Sequence, residues 1–236
     1  MEIIVAKNSG FCYGVKRALQ LALATQSKKS ANIYTWGELI HNPEVTRKLE
    51  ARGIKVATSL SQLKPGDTVI IRSHGVSPAV YQKLRKKKIK IVDATCPIVK
   101  EIQQTVQRLS HQAGQLIIVG NRNHPEIQGL VGYSRHKALV VENEQEALTL
   151  PFKEKRAVLA QSTQDVKLFG RIVSILLEKT SELTVYNTIC QSTRIRQEST
   201  AKLAEQVEAM IIIGGRNSSN TNKLYNISRR LLPRTY

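Results

Sequence analysis

Three cysteines hold the same place relative to their neighbouring elements, and thiols in such places can bind a metal centre. Each of Cys12, Cys96 and Cys190 follows a β-branched run and precedes a helical pattern, in EIIVAKNSGFC, IKIVDATC and LTVYNTIC. A glycine stands 24 or 25 residues after each cysteine, in YTWG, IIVG and IIIGG. This spacing indicates an internal repeat of roughly 85 to 95 residues.

Polar loops follow the glycines at equivalent places. The loops GELIHNPE, GNRNHPEIQG and GGRNSSNTNK put His41, His124 and Ser218 at 28 or 29 residues after the preceding cysteine. A second set of loops contains His74 after TVIIRS and Ser162 after AVLAQ. Ligands of parallel α/β sheets gather beyond the carboxyl ends of the strands, so these loops and the cysteines are candidates for one shared site.

Short apolar runs alternate with helical patterns along the chain. The runs predicted as strands lie at 2–6, 32–36, 68–72, 89–93, 115–120, 138–142, 157–160, 183–186 and 210–215. Near-continuous apolar strands joined by helices indicate parallel α/β sheets. We therefore expect an α/β fold of three pseudo-repeated units, with small parallel sheets around a shared centre.

The cysteines also predict where the three repeats begin and end. The first repeat spans 1–95, the second spans 96–189 and the third spans 190–236. We expect the third repeat to be incomplete, because the chain ends 46 residues after Cys190, about halfway through a repeat. A repeat without its second half also lacks packing surface for its first half.

Several roles are open to the three thiols. Disulfides explain them poorly, because the number is odd and the expected compartment is reducing. Zinc is possible, but there is no CxxC pair, and a site of three cysteines usually recruits a histidine. An iron–sulfur cluster held by thiolates is chemically reasonable, and three ligands on a four-iron cluster leave one iron open. Ordinary packing of buried cysteines is the remaining alternative.

The loop residues suit a phosphorylated ligand. A diphosphate needs many hydrogen-bond donors, which the three loop histidines and the stretch Ser218, Ser219 and Asn220 can supply. Glu126 follows HP in the second loop and could carry a proton, since burial tunes a carboxyl group. The alternative for Glu126 is a charge that stabilises a helix N-terminus.

The charge of the chain is strongly basic, with 36 Lys and Arg against 18 Asp and Glu, or +18. Such a charge suggests polyanions, either nucleic acid or a phosphorylated small molecule. The densest basic run, KLRKKKIK at 83–90, is explained by a solvated helix end. Aromatic residues make up 5% of the chain, and no aromatic–glycine motif of the RNA-binding type occurs. We therefore do not expect nucleic acid as the partner.

Location follows from what the sequence lacks. No apolar run approaches the ~20 residues that a membrane span needs. The chain starts at MEIIVA, without a signal or transit pattern. We expect a cytoplasmic protein with reduced thiols and no membrane partner.

Seven stretches together resemble one known family. They are SGFCYGVKRAL, GELIHNPEVTRKLEARGIKV, VIIRSHGVSP, VDATCPIVKEI, NHPEIQGLVG, NTICQSTRIRQE and GGRNSSNTNKL, in family order over nearly the whole chain. The sequence resembles the LytB/IspH family of 4-hydroxy-3-methylbut-2-enyl diphosphate reductases, which belong to the methylerythritol phosphate route to isoprenoids. Each stretch is moderately specific, and the set is highly specific.

The resemblance implies a site as well as a fold. Three α/β units would surround a 4Fe–4S cluster held by the three cysteines. Glu126 would deliver a proton, while the three loop histidines and Ser218, Ser219 and Asn220 would bind the substrate diphosphate. The family usually reads QTT where this chain reads QST at 161–163, so Ser162 keeps the hydroxyl.

The resemblance also implies a reaction and a partner. The reaction is the reductive dehydroxylation of 4-hydroxy-3-methylbut-2-enyl diphosphate to isopentenyl and dimethylallyl diphosphate, with the hydroxyl on the open iron. Electrons would come from a ferredoxin or flavodoxin type donor, since no NAD fingerprint is present. Family members continue into a final segment that adds a serine to the site. Two alternatives remain at this point: an inactive truncated paralogue, and a basic nucleic-acid-binding protein.

Overall fold

A computed structural model describes residues 2–26, 32–112 and 114–236. By its internal contacts the chain divides into two units. Unit A consists of Cys12–Leu116 and Arg122–Leu139. Unit B consists of Met1–Phe11, Ile117–Asn121 and Val140–Tyr236.

The first sheet belongs to unit A and has four parallel strands in the order β2-β1-β3-β4. Its strands are β1 (Ile33–Trp36), β2 (Ile54–Ala57), β3 (Thr68–Ile71) and β4 (Lys90–Asp93). The helices of unit A are α1 (Tyr13–Gln26), α2 (Pro43–Glu50), α3 (Pro78–Lys86), α4 (Pro97–Gln112) and α5 (Pro125–Tyr133). A short 3₁₀ helix, Leu60–Gln62, follows β2.

Local sequence explains where the helices of unit A begin. Helices α2, α3, α4 and α5 each start with a proline, which has no N–H to leave unpaired at the first turn. The side chain of Asn42 caps α2 by accepting from the N–H groups of Glu44 and Val45. These starts fix the loops that precede the helices, and those loops contain the candidate site residues.

The second sheet has four strands in the order β6-β5-β7-β8, and β7 pairs with β8 in parallel. Its strands are β5 (Gln115–Val119), β6 (Leu139–Val141), β7 (Lys153–Ala160) and β8 (Thr180–Tyr186). The helices of unit B are α6 (Glu144–Leu148), α7 (Val166–Glu178), α8 (Gln191–Ala204) and α9 (Ser219–Leu231).

The apolar cores lie on the faces of these sheets. In unit A, Ile70 packs with α1 residues on one side, while Val69 and Ile71 pack with the second cluster around Leu84. Strand β3 is buried on both faces, as expected for a central parallel strand. In unit B, Val158 and Ala160 pack against the apolar stripe of α7. The strand ends, and with them the loops that follow, are therefore held by rigid elements.

The predicted parallel α/β fold is confirmed. Strand β2 was missed, because its sequence IKVA is short and contains a lysine. The predicted strands at 2–6 and 210–215 are wrong for the described residues: 2–6 is irregular, and Met210 makes one isolated bridge with Thr235. The side chains of Ile3 and Ile213 are accordingly exposed. The repeat boundaries 1–95, 96–189 and 190–236, and the incomplete third unit, stay predictions.

Among the described residues, no helix combines the length and the apolar character that a membrane crossing requires.

Candidate active site

The histidine cluster of unit A brings together three rings from three different loops. His41 follows β1, His74 follows β3, and His124 is the N-cap of α5. The ring centroids of His41 and His74 are 4.5 Å apart, and both lie close to His124, at 5.3 and 5.2 Å. The structure thus gathers the three histidines that the spacing singled out.

The hydrogen bonds of the cluster are incomplete. The Nδ1 atom of His41 lies 3.2 Å from Oε2 of Glu38, and Nδ1 of His124 accepts the N–H of Glu126 at 3.2 Å. The Nε2 atom of His41 and the Nδ1 atom of His74 are buried and have no hydrogen-bond partner among the described residues. A buried polar atom without a partner costs free energy, so the cluster is suited to a ligand that pairs these atoms.

The electrostatics of the cluster disfavour charged rings. Burial and the neighbouring rings of His41 and His124 hold the pKa of His74 well below its usual value. Burial, followed by His41 and Arg72, lowers the pKa of His124 to about 4. Burial also lowers the pKa of Arg72, against an opposing effect of Glu38. An anion placed among these groups would offset the repulsion and favour their protonated forms.

A metal cation is the alternative occupant, since the three histidines offer ligand atoms within 4.8 Å of one another. Two features oppose it. The guanidinium of Arg72 lies near enough to depress the pKa of both His74 and His124. A neutral His124 that accepts a hydrogen bond at Nδ1 carries its proton on Nε2, where it is a donor rather than a metal ligand. The cluster therefore fits an anion better than a cation.

Glu126 lies next to this cluster in the chain. Its side chain is 1% exposed, in the first turn of α5, and its N–H is the group bonded by His124. A carboxyl group at such a place can hold a proton close to the anion site. The structure thus unites Glu126 with the three histidines, as the motif NHPE suggests.

Two of the three cysteines meet at the start of α1. Cys12 directly precedes α1, and Cys96 directly precedes α4. A Cβ atom built on Gly14 would lie 2.6 Å from Sγ of Cys96 and 4.0 Å from Sγ of Cys12. Both sulfur atoms therefore lie close to the same small space, which the glycine leaves open.

Cys190 belongs to unit B and is the N-cap of α8. Its N–H donates to the carbonyl of Ser162 at 2.9 Å, just as the N–H of Cys96 donates to the carbonyl of Ser73 at 3.0 Å in unit A. In α8, Arg196 donates to the carbonyls of Asn8 and Gly10, just before Cys12 in the chain. The cysteine loops are thus fixed by backbone hydrogen bonds.

The donor set of the cysteines fits an iron–sulfur cluster. All three thiols are half-buried, and none forms a disulfide within the described part of the chain. Thiolates are the usual ligands of such clusters, and Cys12 and Cys96 already share one space beside Gly14. Among the described residues, the group of three metal-ligating side chains that the structure gathers consists of His41, His74 and His124, and it includes none of the cysteines.

The serine stretch of unit B lies at a helix N-terminus. Ser218 caps α9 by accepting the N–H of Thr221, and Ser219 and Asn220 form the first turn. The hydroxyl of Ser219 is 3.0 Å from that of Thr163, which accepts from Gln161. An N-terminus with three polar side chains is a favourable place for a phosphate group.

The second loop of unit B contains Ser162, which is 7% exposed. The next two residues link this loop to α9. Thr163 contacts Ser219, and Oε1 of Gln164 accepts from Nζ of Lys223 at 2.5 Å. Burial lowers the pKa of Lys223, while Asp165 opposes that shift. Thr163 and Gln164 therefore connect the loop that contains Ser162 to α9, through Ser219 and Lys223.

Sequence reasoning missed four polar residues of these sites. Glu38 and Arg72 accompany the histidines, while Thr163 and Lys223 accompany the serines. The first two were visible in the sequence, since Glu38 stands in GELIH and Arg72 directly precedes SHG. Lys223 lies on the face of α9 that also presents Ser219 one turn earlier, a helical spacing that the sequence contains.

Comparison with known proteins assigns the chain to a family. The profile of the family described as LytB protein matches residues 3–236. A 4-hydroxy-3-methylbut-2-enyl diphosphate reductase of Geobacter metallireducens is 43% identical over 236 residues, covering 100% of this chain and 83% of the relative. The protein of the same name from Aquifex aeolicus is 43% identical over 239 residues, covering 100% and 82%.

Solved structures are similar as well. A structure of (E)-4-hydroxy-3-methyl-but-2-enyl diphosphate reductase, the terminal enzyme of the non-mevalonate pathway, matches with a TM-score of 0.74 and 43% identity, covering 99% of this chain and 84% of that one. The Plasmodium falciparum E-1-hydroxy-2-methyl-but-2-enyl-4-diphosphate reductase matches with a TM-score of 0.91 and 30% identity, covering 96% and 73%. From the match of sequence, fold and motifs over its full length, the chain belongs to the LytB protein family.

Proposed function

We propose that this chain is a reductase that converts 4-hydroxy-3-methylbut-2-enyl diphosphate to isopentenyl and dimethylallyl diphosphate, in isoprenoid biosynthesis. Curated relatives with the name of this enzyme align with the whole chain at 42 to 44% identity. The structural observation that carries the proposal is the cluster of three histidines with two buried, unpartnered ring nitrogens beside Glu126. Such a cluster suits a phosphate-type anion such as a diphosphate better than a metal ion.

Cys12, Cys96 and Cys190 would hold a 4Fe–4S cluster through their thiolates. When bound, the cluster supplies electrons one at a time and an iron that acts as a Lewis acid towards the substrate hydroxyl. The protein would hold the cysteine ligands in position, and the backbone hydrogen bonds of Cys96 and Cys190 contribute to this.

The histidines and the serine stretch would bind the diphosphate. His124 can donate from Nε2, since its Nδ1 accepts the N–H of Glu126. His41 offers its unpartnered Nε2 and His74 its unpartnered Nδ1 to the anion. In unit B, Ser162, Ser218, Ser219 and Asn220 would add hydroxyl and amide groups, together with the N-terminus of α9.

Glu126 would deliver the proton with which the substrate hydroxyl departs as water. Its buried carboxyl lies at the start of α5. Its own N–H donates to Nδ1 of His124, a residue that would bind the diphosphate. The overall reaction breaks one C–O bond and consumes two electrons and two protons. One proton enters the water and the other enters the carbon skeleton of the product.

The electrons would come from a ferredoxin or flavodoxin type donor in the cytoplasm. The net charge of +18 favours approach of such an acidic protein. Reduction by the donor protein is therefore expected to slow as ionic strength rises. A rate that does not depend on salt would contradict this part of the proposal.

The test is anaerobic purification, followed by iron and sulfide analysis, electron paramagnetic resonance and turnover with the diphosphate substrate. Close to four irons and four sulfides per chain, with formation of both products, would support the proposal. A normal cluster without turnover would instead support the inactive paralogue. A chain without iron after reconstitution, but with steeply salt-dependent DNA or RNA binding, would support the nucleic-acid alternative.

A further inference from the structure

Two buried glutamines occupy the same place in two repeats. Gln103 stands seven residues after Cys96, in CPIVKEIQ, and Gln197 stands seven residues after Cys190, in CQSTRIRQ. Their exposed fractions are 3% and 6%. The first repeat has Leu19 at this position. Burying an amide without a hydrogen bond costs free energy. Two buried glutamines at the same repeat position therefore indicate a shared role.

In unit B, the amide of Gln197 joins α8 to the loop that contains Ser162. Its Nε2 donates to the carbonyl of Gln164 at 2.9 Å, and its Oε1 accepts the N–H of Val166 at 3.2 Å. The N–H of Cys190 donates to the carbonyl of Ser162. Helix α8 is therefore bound to this loop at three points, and the first of them is the cysteine itself.

In unit A, Gln103 meets the equivalent loop. The N–H of Cys96 donates to the carbonyl of Ser73, so Ser73 corresponds to Ser162 and Gly75 corresponds to Gln164. A Cβ atom on Gly75 would collide with Nε2 of Gln103, so the amide lies directly against this residue. Gly75 also has a φ of +70°, which a glycine adopts without strain.

The two contacts differ in one respect. Both polar atoms of the Gln197 amide are hydrogen-bonded. The Nε2 atom of Gln103 is buried and has no hydrogen-bond partner among the residues that the structure describes. Gln103 therefore holds its loop by packing against Gly75, whereas Gln197 holds its loop by hydrogen bonds to Gln164 and Val166.

We propose that Gln103 and Gln197 are equivalent positioning residues, which hold the loops bearing His74 and Ser162 against the helices that begin after Cys96 and Cys190. This inference rests on the proposed function of those loops in diphosphate binding. Neither glutamine is itself part of the diphosphate site. Each acts through its loop, so its loss is expected to weaken diphosphate binding while the cluster ligands remain in place.

The test replaces each glutamine by methionine, which is close in shape and lacks both hydrogen-bonding groups. The matched control is Gln104→Met, because Gln104 is the exposed neighbour of Gln103 on α4. Holoenzymes are compared by iron content, by kcat and KM for the diphosphate substrate, and by the Kd of inorganic pyrophosphate. Hydrogen exchange at the amide of Val166 reports on the contact of Gln197 directly.

For Gln197→Met we expect a KM and a pyrophosphate Kd at least tenfold higher, unchanged iron content, and at least tenfold faster exchange at Val166. For Gln103→Met we expect a smaller rise in KM than for Gln197→Met, because Gln103 has no hydrogen bond at Nε2 and methionine keeps much of the packing against Gly75. We expect no loss of stability, because the substitution removes an unpartnered buried donor. Loss of a residue with only a structural role would lower stability without raising the KM and the pyrophosphate Kd selectively. Gln197→Glu keeps the acceptor for Val166 and should recover part of the affinity.

Several results would overturn the inference. One is a KM and pyrophosphate Kd within twofold of wild type in both methionine variants. Another is loss of iron with an unchanged KM in the remaining holoenzyme. Failure of the proposed function is distinct, since wild type itself would then fail to turn over. Pyrophosphate affinity and exchange at Val166 would still decide whether the glutamines position these loops.

Discussion

Gly14 and Cys96 are so close that the glycine has no room for a side chain. Its missing Cβ atom would lie 2.6 Å from Sγ of Cys96, a distance that real Cβ atoms do not reach. The same position is 4.0 Å from Sγ of Cys12. The second glycine of SGFCYG, Gly14, is thus explained by the space that the sulfur of Cys96 occupies, and not by its backbone conformation.

The first prediction concerns this glycine. Gly14→Ala is expected to displace the sulfur of Cys96 and to reduce the iron content of the anaerobically purified protein to half or less. Gly170→Ala in α7 is the matched control, because a Cβ atom there meets nothing within 4 Å. Alanine at that exposed helical position should add about 0.5–1 kcal/mol to the free energy of unfolding and leave iron unchanged. Full iron content in Gly14→Ala would contradict this role of the glycine.

The second prediction concerns the proposed ligands. Cys12→Ser, Cys96→Ser and Cys190→Ser should each abolish the brown colour and the paramagnetic signal of the reduced cluster, because a hydroxyl replaces a thiolate poorly. Far-ultraviolet circular dichroism of each variant checks that the α/β fold persists. A variant that keeps four irons per chain removes that cysteine from the ligand set.

Much of the site could be predicted from the sequence because repeats and motifs mark loop positions. The spacing from cysteine to histidine predicted that His41 and His124 lie in equivalent loops, and in the structure their ring centroids are 5.3 Å apart. His41 and His74 follow β1 and β3, which are paired parallel strands of one sheet, so these two residues converge at its carboxyl edge. For this reason the spacing of residues along the sequence was enough to predict which loops contain the site residues.

The remaining features depend on packing. Thr163 could not be distinguished from Ser162 in QST, since the rotation of the loop decides which hydroxyl meets Ser219. The runs at 2–6 and 210–215 have strand composition. Among the described residues, 2–6 is irregular, and 210–215 pairs with residues 234–236 over one bridge only. Composition predicts a preference for extended structure, and a neighbouring strand is needed to realise it.

The third prediction concerns the proton donor. Glu126→Gln preserves the shape of the buried side chain and removes its acidic proton, so kcat should fall at least a hundredfold while iron content and pyrophosphate affinity stay within twofold. Glu101→Gln, an exposed position on α4, is the control and should leave turnover unchanged. Turnover of Glu126→Gln equal to wild type would exclude the carboxyl from proton delivery.

The last prediction concerns acid stability. The pKa of His124 is lowered in the folded protein from 6.5 to about 4, chiefly by burial. Below pH 6.5 the unfolded chain therefore binds a proton at this position that the folded protein does not bind. Stability must fall as the pH drops from about 6.5 to about 4, by about 3 kcal/mol at most if each pKa unit contributes about 1.4 kcal/mol.

The comparison uses His124→Asn, because asparagine can still cap α5 through its side-chain oxygen. Urea unfolding at pH 7 and pH 5 should show a smaller acid-induced loss of stability in this variant than in wild type. His136→Asn is the matched control: His136 is exposed, and its φ of +60° suits asparagine. That control should follow wild type. Equal loss of stability in wild type and His124→Asn would show that His124 is not held neutral by its surroundings.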